Sequence, residues 1–195
     1  FIAVLGIMLS GKKTPLICTS HGGDLFALKG KWLQRIKRWV IDRSAALTVV
    51  SQAMKKTVVD MGVAPDKVEV ISMGVDLQGL FIPDTSVQRK NDELIFVGRL
   101  VEKKGVHFLL GAMPIVLKKH PNVRLTIAGS GPTEQELRQQ TQILGLSDRV
   151  TFLGSVSQTK LPGLYQMATL AVFPFVVAKS GDQEGFGLVQ VEAMG

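Results

Sequence analysis

The feature that most constrains this chain is a scheme that recurs along it: a short apolar run, then Gly, Ser or His, then a longer segment of helical periodicity. Pro15 to Ser20, Leu47 to Ser51 and Lys67 to Ser72 are such runs in the first part; Glu93 to Gly98, Val123 to Ala128, Val150 to Gly154 and Leu170 to Phe175 follow in the second. Residues 29–45, 52–61, 106–119, 133–144 and 160–168 carry the helical pattern between them. Each helix returns the chain across the sheet, so the alternation predicts parallel strands in an α/β fold. Ser51 is placed to cap the helix that Gly62 stops. A polar, Pro-containing stretch interrupts the scheme and predicts two units, 1–76 and 92–195, joined by a linker at 77–91.

The chemistry concentrates where such strands end. The last stretch runs Gly181-Asp182-Gln183-Glu184-Gly185-Phe186-Gly187-Leu188-Val189-Gln190-Val191-Glu192-Ala193-Met194-Gly195. Glu184 precedes two glycines that let a ligand approach the backbone, and Leu188 to Met194 predicts two turns of helix. The N–H groups at a helix start suit a diphosphate. Were the interval mostly helical, Glu184 and Glu192 would lie about 12 Å apart at 1.5 Å per residue. That is beyond the roughly 5 to 9.5 Å of paired glycosidase acids, so the two carboxylates are expected to bracket an extended ligand. The competing reading is a capped surface helix with solvated glutamates.

Upstream, the strand Glu93 to Gly98 presents Arg99 at its end, and Lys104 follows beside Gly105. A fork-like Arg and a point-charge Lys suit the growing charge of a diphosphate leaving group. Neighbouring Lys103 leaves that register open by one residue. At the end of the first strand, His21 precedes Gly22, Gly23 and Asp24, where an open sheet binds ligands. Its ring either faces a substrate or bonds to Asp24. A phosphate-loop spacing at Gly6, Gly11 and Lys12 is set aside, because Lys13 stands where Ser or Thr must hold magnesium. Gly129-Ser130-Gly131 has Glu134 in place of a third glycine and implies no NAD.

The Glu-x7-Glu pattern, with Glu-Gly-Phe-Gly at its start and Glu-Ala-Met-Gly at its end, resembles the retaining GT-B glycosyltransferases of family 4. Phe96-Val97-Gly98-Arg99-Leu100-Val101-Glu102-Lys103-Lys104-Gly105 resembles that family's phosphate clamp. Thr19-Ser20-His21-Gly22-Gly23-Asp24 and Val70-Ile71-Ser72-Met73-Gly74-Val75-Asp76 are similar to its acceptor-side His and its interdomain segment. The order and reach of the four motifs make the match specific.

The resemblance implies a GT-B type α/β fold of two Rossmann-like domains facing a cleft, both incomplete here. It implies a sugar moved from a nucleotide diphosphate sugar to an acceptor hydroxyl with retention, and no cofactor beyond that donor. Arg99 and Lys104 would hold the diphosphate with the backbone around Phe186, Gly187, Leu188 and Val189. Glu184 would meet the donor sugar, Glu192 the ribose, His21 the acceptor side, and the backbone at Ser155 and Val156 the base. The chain has no Asp-x-Asp, the usual carrier of a divalent ion in the other main transferase fold, so metal-independent chemistry is expected. A sugar-nucleotide epimerase would need further acid/base groups, and of the three His only His21 stands at a plausible strand end. A non-catalytic sugar-nucleotide module is the third reading, against which the intact Arg, Lys, Glu and Glu set argues.

A net charge of +7 favours anionic partners, and a nucleotide sugar rather than nucleic acid is expected here. Residues 29–45 form a basic amphipathic helix containing both Trp residues, which either lies on anionic lipid or covers a sheet with a solvated basic face. Glycan, lipid and small-molecule acceptors all remain open. The one Cys, Cys18, excludes disulfide and zinc frameworks and points to a reducing compartment, so the expected site is cytoplasmic, with peripheral contact at the inner membrane face. No apolar span long enough to cross a membrane occurs in the sequence. Phe1 opens inside an apolar run and Gly195 closes within a helix, so the chain is expected to be an internal piece of a longer enzyme, inactive by itself.

Overall fold

The computed structural model describes residues 2–26 and 30–195. The chain divides into two compact units, Phe1–Met73 with Val177–Phe186, and Gly74–Val176 with Gly187–Gly195.

The first unit runs α1 (Ile2–Leu9), β1 (Ile17–Ser20), α2 (Gly23–Phe26), α3 (Lys31–Arg43), β2 (Ala46–Val49), α4 (Gln52–Asp60) and β3 (Val68–Val70). Its strands pair in parallel in the order β1-β2-β3. The core beneath them joins Ile41 of α3, Leu47 and Val49 of β2, Met54 and Val58 of α4 and Val68 of β3, with Phe186 packed against it. Ser51 caps α4 as its sequence position predicts, its Oγ accepting from the Met54 N–H at 3.3 Å. Arg38 ties α3 to the end of α4: its Nε donates to Asp42 and its Nη1 to the Met61 carbonyl at 3.0 Å. Gly62, at φ +89°, turns the chain directly beneath that guanidinium. The start of the predicted helix at residue 29 lies outside the described residues.

The second unit runs β4 (Glu93–Val97), α5 (Val106–Lys119), β5 (Arg124–Ala128), α6 (Glu134–Ile143), β6 (Val150–Gly154), α7 (Leu161–Met167), β7 (Leu170–Ala171) and α8 (Leu188–Met194). All four strands are parallel, in the order β6-β5-β4-β7. Buried Phe96, Leu110, Met113, Leu125 and Ile127 form the core between β4, β5 and α5. The segment at 77–91 carries no strand or helix, yet it is not loose. Phe81 is only 2% exposed, Gln166 donates to the Ile82 carbonyl, and the Thr169 hydroxyl donates to the Lys90 carbonyl.

One strand is shorter than its apolar run predicts. Leu170 to Phe175 pairs with β4 only at Leu170 and Ala171, and the Val172 N–H adds one last bond to Ile95. Pro174 has no N–H to donate, and the Phe175 N–H turns back to the Phe173 carbonyl. The ladder therefore stops.

Beyond the strand ends, three glycines permit close backbone contact. A Cβ on Gly129 would overlap the Gly98 carbonyl oxygen, one on Gly131 the Leu100 carbonyl oxygen, and one on Gly105 the Pro174 carbonyl oxygen. Gly105 also sits at φ +69°. Gly105→Ala should therefore lose more than about 2 kcal/mol of stability. Gly111→Ala is the contrasting case, because that exposed position in α5 has open space around it and a helical glycine costs about 0.5–1 kcal/mol against Ala. Urea midpoints of the two variants should move in opposite directions.

Candidate functional site

In the second unit the strand order reverses between β4 and β7, and open α/β sheets bind ligands at the C-terminal ends of such neighbouring strands. β4 ends in Gly98 and exposed Arg99; a turn at Glu102–Lys104 and left-handed Gly105 then lead into α5. β7 leads into Phe173-Pro174-Phe175. The two ends are joined by the Val176 N–H, which donates to the Lys103 carbonyl at 2.9 Å, and by the contact of Gly105 with Pro174. The Lys104 ammonium lies 4.4 Å from the centre of the Phe175 ring.

Arg99 borders a cleft of about 490 Å³ lined by Gly98, Gly129, Ser130, Gly131, Ser155 and Val156. The Ser130 and Ser155 hydroxyls share a hydrogen bond of 2.7 Å at its edge. Val156 and Val189 both pack on the cluster of Ile95, Val97 and Ala128, which connects the cleft wall to α8.

Gly187 precedes α8 at φ +82°, where a Cβ would come within 3.1 Å of the Phe175 ring. Leu188 to Met194 is helical as predicted. The first half of the Glu-x7-Glu interval is a non-helical turn, so the premise of a mostly helical interval does not hold. Glu184 and Phe186 belong to the first unit, whereas Gly187, Leu188, Val189 and Glu192 belong to the second.

Glu192 is 8% exposed, and its Oε2 accepts from the Tyr165 hydroxyl at 3.2 Å. The same hydroxyl lies 3.3 Å from the Val189 carbonyl. Burial holds the Glu192 carboxyl above the ordinary carboxylate range, with the Tyr165 bond pulling it partly back. Burial, with the carboxylate beside it, raises Tyr165 too, so the phenol keeps its proton and can donate.

In the first unit, His21 is exposed at the end of β1. Gly22 follows at φ +116°, its N–H donating to Asp24 Oδ1 at 3.2 Å. Gly185 packs on this turn, since a Cβ there would stand 2.8 Å from the His21 carbonyl oxygen and 3.1 Å from Met54 Sδ. Glu184, half-buried, is thereby brought beside the His21 turn within one unit. Ser20, next to His21, is 3% exposed, and its Oγ has no hydrogen-bond partner among the described residues.

Sequence reasoning missed Phe175 and Tyr165. The signal for Tyr165 was its singularity, as the only Tyr of the chain. Phe175 stood in an apolar run that looked like strand.

Residues 78–195 match the family model of glycosyl transferases group 1, and residues 1–78 match that of glycosyltransferase family 4. The chain belongs to the group 1 glycosyltransferases. An uncharacterized glycosyltransferase of Methanocaldococcus jannaschii is 33% identical over 184 residues, covering 88% of this chain and 45% of its relative. The gpi3 subunit of the phosphatidylinositol N-acetylglucosaminyltransferase of Schizosaccharomyces pombe is 30% identical over 194 residues, covering 98% of this chain and 41% of the relative. Among solved structures, Anabaena HepE in complex with UDP and glucose superposes with a TM-score of 0.78 at 22% identity, covering 99% of this chain and 53% of that one. The chain thus spans less than half the length of these two curated relatives, and its α/β fold is that of the GT-B glycosyltransferases.

A carboxyl whose pKa is higher folded than unfolded holds its proton better in the fold. Its contribution to stability is therefore present at acid pH and lost as pH rises from about 4.3 through the folded value. Thermal unfolding of the full-length protein between about pH 4 and 7 should show this loss, and Glu192→Gln should flatten that part of the profile.

Proposed function

We propose that the full-length protein transfers a sugar from a nucleotide diphosphate sugar to an acceptor hydroxyl, with retention and without a metal. The observation that carries this reading is the pair of cations at the β4–β7 switch point: Arg99 at the mouth of the cleft and Lys104 resting on Phe175, in a chain of this family. As the bond between sugar and phosphate breaks, negative charge grows on the departing diphosphate. A planar guanidinium and an ammonium held in place neutralise it without reorganising, which is where most of the rate enhancement would arise. Backbone N–H groups from Phe186 to Val189 assist, the backbone at Ser155 and Val156 meets the base, and Glu192 takes the ribose. Glu184 and His21, neighbours in the first unit, serve the donor sugar and the acceptor side. Holding the acceptor on the face the leaving group vacates supplies the rest.

For the donor, the Anabaena structure with UDP and glucose supports a nucleotide diphosphate sugar. Regarding the acceptor, the S. pombe relative named for phosphatidylinositol supports a lipid. No helix among the described residues is long and apolar enough to cross a membrane. The lipid would be met at the surface through α3, where Trp32 is 76% exposed between exposed Lys31 and Arg35.

Two experiments test the reading. UDP, GDP and ADP, each with chelator present, should be screened for thermal stabilisation of the full-length protein. One of them should stabilise it by about 2.7 kcal/mol at a hundredfold excess over its Kd, and no shift with any would sink the donor site. Lys104→Ala should lower turnover about a hundredfold or more with the fold intact, and release of nucleotide diphosphate should require an acceptor. Near-normal turnover, or release without acceptor, counts against a transferase with this clamp.

The surface reading has its own check in vesicle sedimentation. The wild type should pellet with phosphatidylglycerol vesicles more than with phosphatidylcholine ones, and Trp32→Ala combined with Lys31→Gln and Arg35→Gln should abolish the difference. Equal pelleting of variant and wild type would remove α3 from the interaction.

A further inference from the structure

We infer that Tyr165 is a positioning residue for Glu192, holding that carboxylate in the rotamer that receives the donor. The inference rests on the donor reading of Glu192. It begins from a carboxylate that is 8% exposed on a two-turn helix, where a charged group needs a partner. Among the described residues its recorded hydrogen-bond donor is the Tyr165 hydroxyl, at 3.2 Å from Oε2. That bond orients the carboxyl group and leaves lone pairs on its oxygens to accept from a ligand hydroxyl.

Tyr165 is itself fixed. It projects from α7, its ring lies 6.1 Å from that of buried Phe81, and its hydroxyl is also 3.3 Å from the Val189 carbonyl, one turn before Glu192. The phenol thus touches both the carboxylate and the backbone of the helix turn that carries it. Val189 packs in turn on the same apolar cluster as Val156 of the cleft wall. A tyrosine tied in this way sets the direction of Glu192, which with Phe81 and Tyr165 lines a pocket other than the cleft at Arg99. A phenylalanine of the same shape would keep the packing and lose the direction.

The test compares UDP, GDP and ADP with their 2′,3′-dideoxy counterparts on the full-length protein, because only the ribose hydroxyls distinguish the members of each pair. Tyr165→Phe should weaken binding of the stabilising nucleotide about tenfold, the effect of losing one bond to a charged group. It should leave the dideoxy form almost unchanged, and raise donor KM more than it lowers kcat. Thermal unfolding confirms that the variant folds, and Tyr165→Phe added to Glu192→Gln should cause no further loss. If Tyr165→Phe weakens both forms equally, or neither, while Glu192→Gln still removes the preference for ribose, the positioning role is overturned. Should Glu192→Gln leave that preference intact, the donor reading of Glu192 falls, and the inference with it.

Discussion

The second unit depends on one constraint: backbone meets backbone at the ends of its strands, at distances only glycine tolerates. Gly129 lies on the Gly98 carbonyl, Gly131 on that of Leu100, and Gly105 on that of Pro174. These contacts are reinforced by N–H groups of Gly98 and Leu100 that bond to the Ala128 and Ser130 carbonyls, both at 2.9 Å. A side chain at any of the three glycines would push the strand ends apart and displace Arg99 and Lys104 with them. The charge at the site therefore rests on the absence of side chains around it.

Phe175 extends that logic. Its neighbour Pro174 lies against Gly105, its ring leaves no room for a side chain on Gly187, and its face carries the Lys104 ammonium. The aromatic limits where the positive charge of the flexible lysine can go. Glu192 presents the opposite problem, a negative charge in a dry place. Among the described residues a neutral donor, the Tyr165 hydroxyl, answers it.

Much of this was legible in the residues. Alternating apolar runs and helical segments dictated parallel strands. Ser51 and Gly62 marked the ends of α4, and the positions of Arg99, Lys104 and His21 after strand runs placed them at the ends of the strands. What was not legible required tertiary packing. Leu170 to Phe175 is apolar throughout, and only the missing N–H of Pro174 hinted that pairing would stop. The Lys104 ammonium meets the Phe175 ring across a long stretch of chain. The meeting of Gly185 with the His21 turn likewise joins positions far apart in the chain, and no local pattern encodes it.

The distribution of aromatic residues has an optical consequence. Both tryptophans of this chain lie in α3 of the first unit, Trp39 beneath the Arg43 guanidinium at 4.4 Å and Trp32 open to solvent. The sole tyrosine lies in the second unit, bonded to a carboxylate. Within this chain, indole fluorescence excited at the red edge reports on the first unit. The Tyr165 phenol belongs to the second, where its ring resonances rather than its absorbance, overlaid by the two indoles, would follow the other half.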